Sequence, residues 1–169
     1  MKNDVLNYYN ESRRFWGVYH NHKETCAWAG LVLHAIFCNA ILKLDIKSLP
    51  NSYPNQAFAG IVVIESIIIC LYMNSQFGMK DKGGAFAGAA TELQVELIKD
   101  QNPDAWKDHV ELKPSSDPKF QSSHFLPARL LKREKVMNSR GRGEQNKTRM
   151  LALGLVALWT LVTIAARWS

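Results

Sequence analysis

Three apolar blocks constrain this chain more than any other feature. Residues 26–44, 57–73 and 150–166 are 19, 17 and 17 residues long and hold one Lys and one Glu between them, Lys43 and Glu65. In hydrocarbon each backbone N–H and C=O must bond within its own segment, so runs of this length read as membrane-spanning helices. The mean hydropathy of −0.18 would suit a soluble globule, but it averages these blocks with polar stretches. The pattern excludes an ordinary soluble enzyme domain, a secreted disulfide scaffold and a disordered tail. The expected fold class is all-α: an integral membrane protein with three transmembrane helices, an N-terminal amphipathic helix and a small helical cytoplasmic segment.

The first block is read as a retained span rather than a signal peptide. About 25 polar and aromatic residues precede it, and its apolar run is longer than a signal core. Charge sets the orientation. Lys2, Arg13, Arg14 and Lys23 precede the first span, and residues 74–149 carry 14 of the 21 Lys+Arg. Only Lys47 lies within residues 45–56, and only Arg167 follows the third span. The positive-inside rule then places residues 1–25 and 74–149 in the cytoplasm. The 45–56 loop and the 167–169 tail lie outside a cell (inner or plasma) membrane. Cys26, Cys38 and Cys70 all fall inside spans, so they frame no disulfide.

Residues 4–23 are expected to form a helix. Val5, Tyr8, Tyr9, Phe15, Trp16 and Tyr19 gather on one face at 100° per residue. That face suits either the membrane interface or the protein's own cytoplasmic part. Pro50 and Pro54 make residues 45–56 a loop. After the second span the helix is expected to run to about residue 79 and to break at Lys82-Gly83-Gly84. A further helix over 85–99 follows from Phe86, Ala90, Leu93 and Leu97 at three- and four-residue spacing. Residues 104–123, with Pro114 and Pro118, read as irregular. A last cytoplasmic helix starts near Pro127, with Leu126, Leu130 and Leu131 on one side, and Arg140-Gly141-Arg142-Gly143 interrupts it or hinges it before the third span.

Two groups of polar residues stand out within the apolar blocks. Cys26, Gly30, His34 and Cys38 step by four along the first span, a small and polar stripe suited to close helix packing. Ala29, Val32, Leu33 and Ile36 form the opposite, lipid-facing side, and Asn39 needs a partner of its own. Glu65, with Ser66 beside it, sits at the middle of the second span, where an ionised carboxylate costs several kcal/mol unless paired or hydrated. The midpoints of the first two spans fall near residues 35 and 65. In an antiparallel hairpin His34 and Glu65 then differ in depth by about 1.5 Å and can pair. Alternatively Glu65 stays un-ionised. His34, Asn39, Glu65 and Ser66 are thus candidates to line a proton or cation pathway, or to lock helices together.

The basic arm 127–149 carries Arg129, Lys132, Arg133, Lys135, Arg140, Arg142, Lys147 and Arg149 against Glu134 and Glu144. A cluster of this kind next to a span attracts anionic lipid, at about 1 kcal/mol per cation near the surface. The same field would steer an anionic ligand such as a nucleotide. No motif names a reaction: there is no phosphate loop, nucleophile elbow or metal-ligand spacing, and no cofactor is implied. One intramembrane His per chain makes no bis-His haem site, although a symmetric dimer would supply two.

The N-terminal helix NYYNESRRFWGVYHNHKE leading into a two-span hairpin resembles the small prokaryotic SLATT-type membrane effectors used in antiviral defence. The resemblance is architectural and covers about the first 80 residues. Glu65, His34, the small-residue stripe and the short loops lead to the expectation of a homo-oligomeric assembly that conducts ions or perturbs the bilayer, since three spans alone cannot enclose a pathway. The competing expectation is a membrane anchor or adaptor whose segment 74–149 binds a partner protein or an anionic ligand. The orientation is open to labelling: in a cysteine-free background, Ser52→Cys should react with an impermeant thiol reagent on intact cells and Ser116→Cys should not. The reverse pattern sinks the assignment.

Overall fold

A computed structural model describes residues 2–44, 54–99 and 126–168. Among these residues the structure is all-helical. It comprises α1 (Lys2–Lys43), α2 (Pro54–Lys99) and α3 (Ala128–Trp168), the last of these following Pro127. Each helix contains a segment long and apolar enough to cross a membrane. The expected irregular stretch 104–123 and most of the 45–56 loop lie outside the described residues. Pro54 is not in a loop but opens α2, because a first-turn position needs no N–H and welcomes a fixed φ.

The helices contribute to two compact units. One comprises Met1–Asn21 and Met79–Gly143; the other comprises His22–Gly78 and Glu144–Ser169. In the first unit, Val5 and Tyr9 of α1 are buried against Phe86, Ala89, Ala90, Leu93 and Leu97 of α2 and Leu130 of α3. The α2 residues recur at three and four positions, which lines them along one face. Trp16 stacks on Phe86 with ring centroids 4.4 Å apart. Burying large side chains of this kind stabilises by about 1.5–3 kcal/mol each. Leu126, Leu131 and Met137 pack around this core. Of the expected aromatic face, Phe15 stays exposed. Burial pushes the Tyr8 and Tyr9 hydroxyls and the Glu134 carboxyl above their ordinary ranges.

Two expected breaks are not breaks. α2 runs unbroken through Gly83-Gly84. A Cβ on Gly83 would stand 3.0 Å from Tyr19 Cδ1 and 3.3 Å from the His20 backbone nitrogen, and one on Gly84 would stand 2.9 Å from His20 Nδ1. These glycines make room for α1. His20 Nδ1–H also donates to the Lys80 carbonyl at 2.9 Å. A helical glycine costs about 1 kcal/mol relative to alanine, which the close contact offsets. α3 is likewise helical through Arg140-Gly141-Arg142-Gly143.

In the second unit the three segments pack with α2 antiparallel to both α1 and α3. One apolar layer is Ala27, Met73, Phe77, Ala152 and Val156. Another is Cys38, Ile41 and Val62, flanked by Phe37 and Phe58. The outside is apolar too: Val32, Leu33, Ile36, Ile64, Ile67, Leu71, Leu158 and Leu161 are all exposed. Arg167 donates to the carbonyls of Leu42 and Leu44, at 3.2 and 2.7 Å, where α1 ends and its last C=O groups lack helical partners. Thermal unfolding in detergent tests the glycine notch. Gly83→Leu should lower stability by about 1–3 kcal/mol through overpacking. Gly17→Ala, where a Cβ meets nothing within 4 Å, should raise it by about 0.5–1 kcal/mol.

Candidate functional site

The site lies in the second unit, between its two apolar layers. His34 is fully buried, and its Nδ1 stands 2.7 Å from Glu65 Oε2. The ring's other nitrogen, Nε2, lies 3.3 Å from Thr160 Oγ1 and 3.5 Å from Cys38 Sγ. Thr160 Oγ1 and Ser66 Oγ are 2.7 Å apart. Each hydroxyl also reaches the carbonyl four residues back in its own helix, Val156 for Thr160 and Val62 for Ser66. Side chains of all three helices therefore meet in one polar layer. Thr163 Oγ1 donates to the Trp159 carbonyl beneath it.

Helical periodicity puts these groups together. In antiparallel helices, contacting positions keep a nearly constant index sum, within about one helical turn, so the clustering of Ala27 with Met73 and of Ile41 with Val62 brings His34 close to the level of Glu65. Gly30 permits the approach: a Cβ there would stand 2.9 Å from Met73 Cγ and 3.2 Å from Tyr72 Cδ1. The stripe Cys26, Gly30, His34, Cys38 thus faces α2, with Gly30, His34 and Cys38 buried and Cys26 half-buried. Cys26 Sγ is 3.7 Å from His22 Nε2. Asn39 stands outside the layer, exposed, its amide donating to the Ala35 carbonyl of its own helix.

Glu65 differs from the rest of the layer in being 20% exposed. Ile61, Ile68 and Tyr72 lie four, three and seven positions away, on the same side of α2, and all three are exposed. The Glu65 side chain is therefore partly open toward an apolar surface. Among the described residues, no group of three or more His, Cys, Asp or Glu side chains is arranged to hold a metal ion.

The basic arm is partly committed to carboxylates of its own unit. Arg133 pairs with Glu96 at 2.6 Å and with Glu92 at 3.5 Å. Arg129 approaches Glu96 at 3.8 Å, and Arg140 approaches Glu92 at 3.6 Å. Glu92 and Glu96 stand one helical turn apart on α2, matching the spacing of Arg129 and Arg133. Lys132, Lys135 and Lys147 are exposed. Arg149 is half-buried, with its guanidinium against Gly78. The Arg142 side chain lies outside what the structure describes.

Sequence reasoning missed Thr160. A signal existed: it lies two residues from the middle of the third apolar block, at the depth where His34 and Glu65 need partners. A double-mutant cycle reads the pair's strength. His34→Leu and Glu65→Leu should each lower the unfolding midpoint, and the double variant should recover part of the loss because neither polar group is then left without its partner. The coupling should be about 0.6–1.7 kcal/mol, the range for polar contacts between membrane helices.

No protein family, curated protein or solved structure matches this chain, so the arrangement of these side chains is the ground for any functional reading.

Proposed function

We propose that this chain is a multi-pass membrane protein whose copies assemble into an ion-conducting or membrane-perturbing oligomer, with Glu65 on the pathway. In this reading residues 1–25 and 74–149 are cytoplasmic, and the 45–56 loop and the C-terminal tail are external. The observation that carries it is the partial exposure of Glu65 among Ile61, Ile68 and Tyr72. An acidic side chain partly open to hydrocarbon is costly. Water in a pathway, or a polar group of a second copy, removes that cost. The layer around His34 is filled by side chains, so an open, hydrated passage would form between copies rather than within one. The chain is then a defence effector of the kind its layout resembles, toxic when active.

A second reading, a membrane anchor or adaptor, rests on the first unit. Phe15 and Val18 on α1, and Val95 and Ile98 on α2, are large apolar side chains three residues apart and exposed in each case. A partner protein would cover them. Exposed lysines of the arm, Lys132, Lys135 and Lys147, suit anionic lipid in either reading.

Flux from proteoliposomes, with particle mass in detergent, distinguishes the two. Glu65→Gln keeps size and hydrogen bonding but cannot ionise. It should retain the oligomer mass while flux and growth toxicity fall by about tenfold or more, since the group to be replaced is a charge-stabilising one. Full flux in that variant removes Glu65 from the mechanism. A parent that is monomeric in detergent and passes no ion favours the adaptor.

A further inference from the structure

The polar layer has two ends. One is the partly exposed side chain of Glu65. The other is an open groove of about 540 Å³ along α2 and α3, in whose wall stand Ser66 and Thr160. Between them runs an unbroken series of contacts. Ser66 Oγ to Thr160 Oγ1 is 2.7 Å, Thr160 Oγ1 to His34 Nε2 is 3.3 Å, and His34 Nδ1 to Glu65 Oε2 is 2.7 Å. The groove continues along the helices from Ser66 to Asn74, eight residues, or about 12 Å of helix rise. The series crosses the unit from the α2–α3 side to Glu65.

We propose that the species this site passes is the proton, relayed across the unit through Thr160 and His34 to Glu65. The inference rests on the conduction reading above and names its substrate. Every group in the series both accepts and donates a proton, as imidazole, hydroxyl and carboxyl do. The contacts leave no gap in which a metal cation would sit. Such a cation needs a ring of oxygen ligands in place of its water shell. The groove supplies none: apart from Ser66, Thr160 and Asn74 it is lined by apolar and thiol side chains.

The proton count closes. At rest the Ser66 and Thr160 hydroxyls donate to the Val62 and Val156 carbonyls, and each turns from its carbonyl to pass its proton on. A proton arriving from the groove bonds to Ser66 Oγ, whose own proton passes to Thr160 Oγ1. The Thr160 proton passes to His34 Nε2, and the His34 Nδ1 proton passes to the Glu65 carboxylate. One proton has entered and one is held on Glu65, to leave from its open side. The hydroxyls then swing back, and a half-turn of the imidazole about Cβ–Cγ carries Nε2–H to the Glu65 side and the bare Nδ1 to the Thr160 side, so the two ring nitrogens exchange roles in the next transfer. Thr160 is the single described side chain that joins His34 to the groove. It is a positioning and relay group whose hydroxyl, not its bulk, is required.

Proteoliposomes holding the full chain, driven in separate runs by a pH gradient and by a potassium gradient, test this. The parent should carry protons and not potassium. Thr160→Val keeps the shape and removes the hydroxyl. It should assemble normally and lose about a hundredfold in proton flux, the scale of one positioned proton-transfer group. Thr160→Ser restores the hydroxyl on a smaller side chain and should recover most of the flux, which a purely packing role for Thr160 would not predict. Parental proton flux in Thr160→Val overturns the relay. Potassium flux in the parent that Glu65→Gln abolishes also overturns it, while leaving the conduction reading standing. A parent that passes neither ion overturns both.

Discussion

The desolvation of one carboxyl group organises the second unit. Glu65 sits in an otherwise apolar stretch of α2, mostly buried among helices whose backbone is already bonded within itself, where an unpartnered carboxyl is costly. The cheapest answer available to the chain is a nearby donor, and His34 is placed to give it at 2.7 Å. Burying the imidazole leaves its second nitrogen in need of a partner, which brings in Thr160 and, through it, Ser66. Each satisfied group creates a demand met by the next helix. Three helices are thereby fixed at one level by hydrogen bonds, while apolar layers on either side supply most of the contact area. In a membrane, where hydrocarbon solvates exposed leucine as well as a protein core does, such directional contacts would carry more of the specificity than in a soluble bundle.

Much of this was legible in the residues. Long apolar runs holding only Lys43 and Glu65 mark the three segments, and the midpoint arithmetic that sets residue 34 against residue 65 needs only an antiparallel hairpin. The lipid-facing side expected of Ala29, Val32, Leu33 and Ile36 is the side left exposed. What was not legible has physical causes. Glycine pairs at 83–84 and 141–143 resemble breakers because local propensity disfavours them, yet propensity costs of about 1 kcal/mol yield to tertiary contact. Thr160 and Thr163 carry no charge and so raise no alarm in a hydropathy profile. The arm 127–149 reads as a free cationic surface because Glu92 and Glu96, which face it, are thirty or more residues away in sequence. Depth and register find partners within neighbouring spans; they do not find partners across a long connection.

The ion pairs of the first unit illustrate the difference between the two environments. Arg129, Arg133, Glu92 and Glu96 are each about a third or more exposed, so water screens them and each contributes little on its own. Their value is in alignment: a carboxylate pair and a guanidinium pair with matching one-turn spacing favour one register of α2 against α3. They also partly offset the arm's positive charge, in which, among the described side chains, Lys132, Lys135, Arg140 and Lys147 are exposed.

The glycine notch facing His20 bears on how uniquely the first unit is built. Much of the α2 face there is alanine, at positions 85, 89 and 90, a smooth surface along which a neighbouring helix can slide at small cost. Gly83 and Gly84 cut one recess into it, and only one axial alignment of α1 sets the His20 ring in that recess with the Lys80 carbonyl in reach. Filling the recess would therefore do more than loosen the packing. It would let several alignments coexist, and the result would be a population of closely related, still helical conformers, visible as multiple or broadened resonances for Tyr19 and Trp16 rather than as lost helix content.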